Sequence, residues 1–172
     1  MTEFATQTTD LLALGAVLAQ IAIIAIVVVR LTKPALLGSL RPFILPALFA
    51  ITLAASILTL VYSEVFGIAP CGLCWLQRVF LYPMPILIAI AYFFKDSGVG
   101  KYLVGLSIPG LLIALYQHYI QMGGSDVLPC PATPGAADCA QRFVFEFGYV
   151  TFPLMAVTVF ALVIALVLSQ RK

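Results

Sequence analysis

"PCGLCWLQRVFLYPMPILIAIAYFF", residues 70–94, joins two unlike things. From Trp75 to Phe94 nearly every residue is apolar, and the run is long enough to cross a bilayer as a helix. At its start stand Cys71 and Cys74 with two residues between them, and Arg78 follows four positions after the second cysteine. A chain that is 63% hydrophobic and only 9% charged has little reason to keep a dithiol and a cation at the rim of such a helix unless chemistry needs them.

The rest of the chain has the same greasy character. Its 172 residues suffice for one domain, and a mean hydropathy of +1.12 excludes an aqueous globule. Four more apolar runs read as spans: Leu11–Val29, Phe43–Tyr62, Tyr102–Gln121 and Phe147–Leu168. At ~1.5 Å per residue each crosses a hydrocarbon core of ~30 Å with little to spare. Pro46, Pro83, Pro85, Pro109 and Pro153 fall inside spans, where membrane helices tolerate proline better than soluble ones do. A cleaved signal peptide is the alternative for the first run. However, the leader Met1–Asp10 carries Glu3 and Asp10 and no Lys or Arg, the reverse of a positive n-region, so a retained helix is expected. The expectation is an all-α integral membrane protein with five spans. A net charge of +2 without a basic stripe gives no reason to expect nucleic acid as a partner.

Orientation follows from the basic residues. Arg30, Lys33 and Arg41 lie between spans one and two, Lys95 and Lys101 between three and four, and Arg171 and Lys172 at the end. That is seven of nine on one side, which the positive-inside rule makes cytoplasmic. Only Arg78 and Arg142 are left for the other side, with the acids Glu3, Asp10, Glu64, Asp126, Asp138 and Glu146. The N-terminus is then outside and the C-terminus inside. All four cysteines, Cys71, Cys74, Cys130 and Cys139, face the compartment where disulfides persist.

A Cys-x-x-Cys at a helix start is suited to thiol exchange, because the electropositive N-terminus stabilises a thiolate. It also fits a structural disulfide or half a zinc site. The second pair lies in "PCPATPGAADCAQR", a loop rich in proline. Eight residues separate Cys130 from Cys139, wide for zinc, although four cysteine ligands remain an alternative. Trp75 follows Cys74 where a c-type haem needs His. Two external dithiols suggest a relay, and a relay needs a terminal acceptor. There is no nucleotide-binding glycine fingerprint, and a single His excludes a bis-His haem. A quinone dissolved in the bilayer is the economical acceptor. Arg78, one turn after Cys74, would lower a thiolate pKa and stabilise a reduced quinone oxygen. As a bland alternative it snorkels outward as an anchor. His118, near the outer end of span four, is either functional or a packing residue.

These residues resemble the disulfide bond formation protein B family (DsbB and its Gram-positive relatives called BdbC). The likeness rests on Cys71-Gly72-Leu73-Cys74 with Arg78, on Tyr116-Gln117-His118, on Cys130, and on Cys139-Ala140-Gln141-Arg142 running into the last helix; it covers roughly residues 43–168. It implies a four-helix core, residues 43–172, with residues 1–42 as an additional N-terminal span and loop. It implies a quinone-linked protein-disulfide oxidoreductase of the bacterial inner membrane, with ubiquinone or menaquinone as cofactor. The implied partner is a secreted thioredoxin-fold oxidase of the DsbA type. By that resemblance, reduced partner attacks Cys130, Cys139 exchanges with Cys71, and Cys74 passes electrons to the quinone. Arg78 then stabilises charge on the quinone oxygen, and His118 borders the quinone. The cysteine loop is short beside the longest family members. Two rivals stand: an enzyme of the vitamin K epoxide reductase type, whose loop cysteines come before rather than after the Cys-x-x-Cys, and a metal-binding accessory subunit.

Overall fold

The computed structural model describes residues 3–125, 127, 130 and 137–170. Asp126, Arg171, Lys172, Pro129, Pro131, Pro134 and Gly135, which entered the reading of charges and of the cysteine loop, lie outside them. The chain is all-α. Helix α1 spans Glu3–Thr32 and α2 spans Pro34–Leu60, continuing into a π-helical turn at Val61–Val65. Helices α3 (Gly72–Leu81) and α4 (Pro83–Phe94) follow, then α5 (Val99–Gln121) and α6 (Phe152–Ser169). Five segments are long and apolar enough to cross a membrane, because α3 and α4 together make one of them, Gly72–Phe94. They meet at Tyr82, where Pro83 and Pro85 supply no N–H to the turn before them. The protein is thus a multi-pass membrane protein.

One apolar cluster unites four of the five spans. Ile44 and Leu48 come from α2, Leu81 from α3, and Met84, Ile88 and Ala91 from α4; Val99 and Leu103 of α5 and Phe160, Val163 and Val167 of α6 complete it. Lipid is as apolar as these side chains, so close fit rather than water exclusion must hold the helices. Gly110 shows the fit: a Cβ there would lie 2.5 Å from the Phe160 ring. Among the described residues, helix α1 supplies nothing to this cluster. It lies outside, with small residues Ala13 and Ala16 buried and Leu11, Leu14, Leu18, Ile21 and Ile24 exposed as a lipid-facing stripe. Polar pins fasten it. The Gln20 amide donates to Thr158 Oγ1 (3.1 Å) and accepts from Tyr149 Oη (3.1 Å), and Thr9 bonds the Tyr62 hydroxyl (2.9 Å). The architecture is therefore a four-helix transmembrane bundle with one additional N-terminal transmembrane helix.

Two boundaries differ from the sequence reading. The last span starts at Phe152, not Phe147. Phe147 and Gly148 take left-handed backbone (φ 52° and 76°) in a tight reversal closed by Glu146 and Val150. Thr151 then caps the helix by accepting from Leu154 N–H, and Pro153 sits in the first turn. Apolarity alone could not separate this reversal from the span. Arg142 accordingly does not run into the last helix; residues 143–151 intervene. At the other end of the bundle, Arg30 and Arg41 belong to α1 and α2, and only Lys33, out of the helical region at φ −140°, ψ 66° before Pro34, separates the two helices. Arg41 reaches the end of α6 and donates to the Gln170 carbonyl (2.8 Å).

Candidate functional site

Four cysteines from two distant stretches meet at one end of the bundle. Cys71 and Cys139, both nearly inaccessible, form an apolar cluster with Leu73 and Ile120; Cys74 and Cys130 are only partly buried and pack against it. Cys130 and Cys139 are disulfide-bonded, with Cα atoms 6.0 Å apart. Cys71 and Cys74 are free thiols, their sulfurs 2.7 Å apart.

The local sequence places the Cys-x-x-Cys as expected for a helix start. Cys71 is the N-cap of α3, in extended backbone (ψ 170°), and its sulfur accepts the Cys74 backbone N–H (3.3 Å). A sulfur thus does the work that Ser or Asp oxygen does at most caps. The hydrogen bond that Cys71 shares with Cys74, and then burial, push the Cys71 thiol above the ordinary thiol range. Its neighbour is the one left partly open.

Arg78 does not snorkel outward. It is 7% exposed, and its guanidinium donates to the Thr59 carbonyl (2.8 Å) and Ser63 Oγ (3.3 Å) while lying 5.1 Å from the centre of the half-exposed Trp75 ring. The π turn that follows α2 gives the reason. Wider winding shifts the hydrogen-bond ladder there, with Phe66 N–H reaching back five residues to Val61, and Arg78 takes up the carbonyl of Thr59 just before it. Both acceptors are neutral, so they leave the positive charge unbalanced one turn from Cys74. His118 has a different neighbourhood: its Nδ1 bonds Thr151 Oγ1 (2.9 Å), the cap of α6. Arg78 thus stands one turn after Cys74 on α3 with its guanidinium bonded to Thr59 and Ser63, and His118 is tied to the start of the last helix.

Three glutamines went unassigned in the sequence. Gln117, fully buried, donates to both Cys71 Sγ (3.1 Å) and Cys74 Sγ (3.3 Å), and accepts from Gln77 Nε2 (2.6 Å). One turn further along α5, Gln121 donates to the carbonyls of Cys139 (3.3 Å) and Gln141 (2.9 Å), fixing the loop that carries the disulfide. The available signal was the i, i+4 spacing of Gln117 and Gln121 in an apolar span, where a buried amide needs a partner. Among the described residues, no group of three or more His, Cys, Asp or Glu side chains could hold a metal ion.

A disulfide and a dithiol in contact at a membrane-helix terminus, with a cation one turn after the dithiol on α3, are equipped for thiol–disulfide exchange. Residues 41–170 match the family model for the disulfide bond formation protein DsbB. The chain belongs to the DsbB family. The SPbeta prophage-derived disulfide bond formation protein B of Bacillus subtilis is 40% identical over 129 residues, covering 73% of this chain and 86% of that relative. Disulfide bond formation protein C of the same organism is 33% identical, covering 72% and 89%. A probable disulfide formation protein of Chlamydia pneumoniae is 28% identical, covering 80% and 98%. No solved structure matches. Membership identifies a disulfide bond formation protein with disulfide oxidoreductase chemistry, and α1 precedes the matched region.

Proposed function

We propose that this protein reoxidises a secreted thioredoxin-fold disulfide oxidase of the DsbA type and passes the electrons to a membrane quinone. The observation that carries this reading is the unequal burial of the two pairs. Each pair has one sulfur inside the shared cluster and one toward the outside. Cys130 is the accessible member of the loop disulfide, so it receives the partner's thiolate; the Cys130–Cys139 bond breaks and Cys139 leaves as a thiolate. Cys139, packed with Cys71, then attacks it, breaking a Cys71–Cys74 disulfide and releasing Cys74 as the leaving thiolate.

The residues around Cys74 suit a quinone. Arg78 holds an unneutralised fork of donors beside the Trp75 face, which would orient a flat head group and place positive charge at its oxygen. A bound quinone, ubiquinone or menaquinone, supplies the two-electron sink. His118 would border that head group from the α6 side. Residues 43–172 form the redox unit, and residues 1–42 are an addition to it. The charge distribution supports an orientation with the cysteines outside a bacterial inner membrane and Lys33 and Lys95 in the cytoplasm.

The test is purified protein, a dithiol thioredoxin-fold substrate and a soluble quinone analogue, with quinone absorbance followed over time. Substrate-dependent loss of quinone absorbance is expected, and none with either cysteine pair replaced by Ser. Reporter fusions at Lys33 and Ser125 should report opposite compartments; the same compartment for both overturns the orientation.

A further inference from the structure

A side chain bonded to both sulfurs of a dithiol is an unusual use of a buried glutamine. Gln117 Nε2 lies 3.1 Å from Cys71 Sγ and 3.3 Å from Cys74 Sγ, and because the sulfurs are only 2.7 Å apart the two share the donor as one bifurcated contact. At its other end Gln117 Oε1 accepts from Gln77 Nε2 at 2.6 Å, and more distantly from the Cys74 thiol at 3.7 Å, an arrangement that leaves the Gln117 nitrogen as the donor to the sulfurs. Gln77 is itself buried and lies on α3 among the cysteine-bearing turns. The short contacts of the chain Gln77–Gln117–dithiol run toward sulfur: Gln77 donates to Gln117, and Gln117 donates to both thiols.

Donors aimed at sulfur act differently on the two redox states. A thiolate is a strong acceptor, and a hydrogen bond to a charged group is worth more than one to a neutral one. A disulfide sulfur carries no charge and accepts weakly. The amide thus favours the reduced pair. We propose that Gln117 stabilises the reduced Cys71/Cys74 pair and that Gln77 is its positioning residue, an inference that rests on the redox role proposed for these cysteines. A stable reduced form makes Cys71–Cys74 the better acceptor of electrons from the loop pair. The plain alternative is that Gln77 and Gln117 are interhelical glue between α3 and α5. Glue would change stability and leave the redox equilibrium alone.

The experiment uses the full chain in detergent with Cys130 and Cys139 replaced by Ser, so that one pair is read. The pair is equilibrated against glutathione: two glutathione thiols give two electrons and two protons, forming glutathione disulfide, while the Cys71–Cys74 bond is cleaved to two thiols. Gln117→Met, which keeps the bulk without the donors, should lower the equilibrium constant for reduction about tenfold, ~30 mV for a two-electron couple. Alkylation of Cys74 by iodoacetamide at neutral pH should slow several-fold. Gln77→Met, which touches neither sulfur, should shift both in the same direction by about threefold. Values for Gln117→Met within twofold of the parent overturn the proposal. If Gln117→Met does not fold, Gln77→Met decides alone, and no shift there overturns it. Neither measurement uses a quinone or partner. A parent that fails quinone-linked turnover while the variants still shift the equilibrium would sink the proposed function and leave Gln117 its role.

Discussion

The two cysteine pairs lie in one cluster and are held in opposite ways. Cys71 and Cys74 are gripped at their sulfurs: by a backbone N–H at the cap, by the Gln117 amide, and with Arg78 one turn away. Cys130 and Cys139 are gripped at the backbone: Gln121 holds the Cys139 and Gln141 carbonyls, and the Asp138 carboxylate accepts the Ala140 N–H. Contacts to sulfur change how stable a thiolate is, whereas contacts to a carbonyl change only where the sulfur sits. Under the proposed function, the α3 pair would be the one tuned to accept electrons and the loop pair the one placed beside it. Helix α5 serves both, with Gln117 and Gln121 one turn apart.

Breaking the relay between the pairs should have the largest effect. Cys139→Ser leaves Cys130 as the thiol on which a partner can be caught with nothing inside to release it. Turnover should vanish, and with oxidised partner the Cys130 thiolate should attack its disulfide, releasing the partner's other sulfur as a thiolate and leaving a Cys130-linked mixed disulfide on non-reducing gels. An adduct on Cys71 instead would reverse the assigned order of the pairs.

Arg78→Met tests the electrostatic half of the contrast. It keeps the stem and removes the cation and its donors. Quinone-step efficiency should fall on the order of 10²-fold, ~2–4 kcal/mol in a partly dry site, with Lys restoring only part. Single-turnover oxidation of partner by Cys130–Cys139 should be nearly unchanged. Unaltered quinone kinetics would reduce Arg78 to a fastener of α3 on the π turn.

Gln121→Met tests the placement half. Electron transfer from the loop pair to Cys71/Cys74 should slow about five- to tenfold in stopped-flow alkylation traps, since misplacement lowers effective concentration. The glutathione equilibrium of Cys71/Cys74 should stay put. A shift in that equilibrium would erase the distinction between the pairs.

Gln20→Leu should matter least. It removes the pins from α1 to Tyr149 and Thr158. A loss of ~0.6 kcal/mol in stability to denaturant is expected, with turnover near normal. A large loss of turnover would make α1 part of the redox unit rather than an outer helix; α1 is 11% buried over its most apolar stretch, against 39% for the span carrying Cys71 and Cys74.

The sequence by itself determined the all-α membrane class, because runs such as Trp75–Phe94 must satisfy their backbone internally in lipid, and only helices do so over that length. It also determined the helix start at Cys71 and the presence of four chemistry-bearing cysteines, since both are local patterns. Where the last span begins was not legible. Phe147 is as apolar as the helix that follows, and only its left-handed backbone and the Thr151 cap mark the boundary. Tertiary structure alone decided which cysteines are inside and which outside, that Arg78 turns inward to Thr59, and that His118 binds Thr151. It alone assigned the glutamines. A glutamine in an apolar helix announces that it needs a partner, but the partner is 46 residues away in sequence at Cys71, and such distance is closed only by packing α5 against α3.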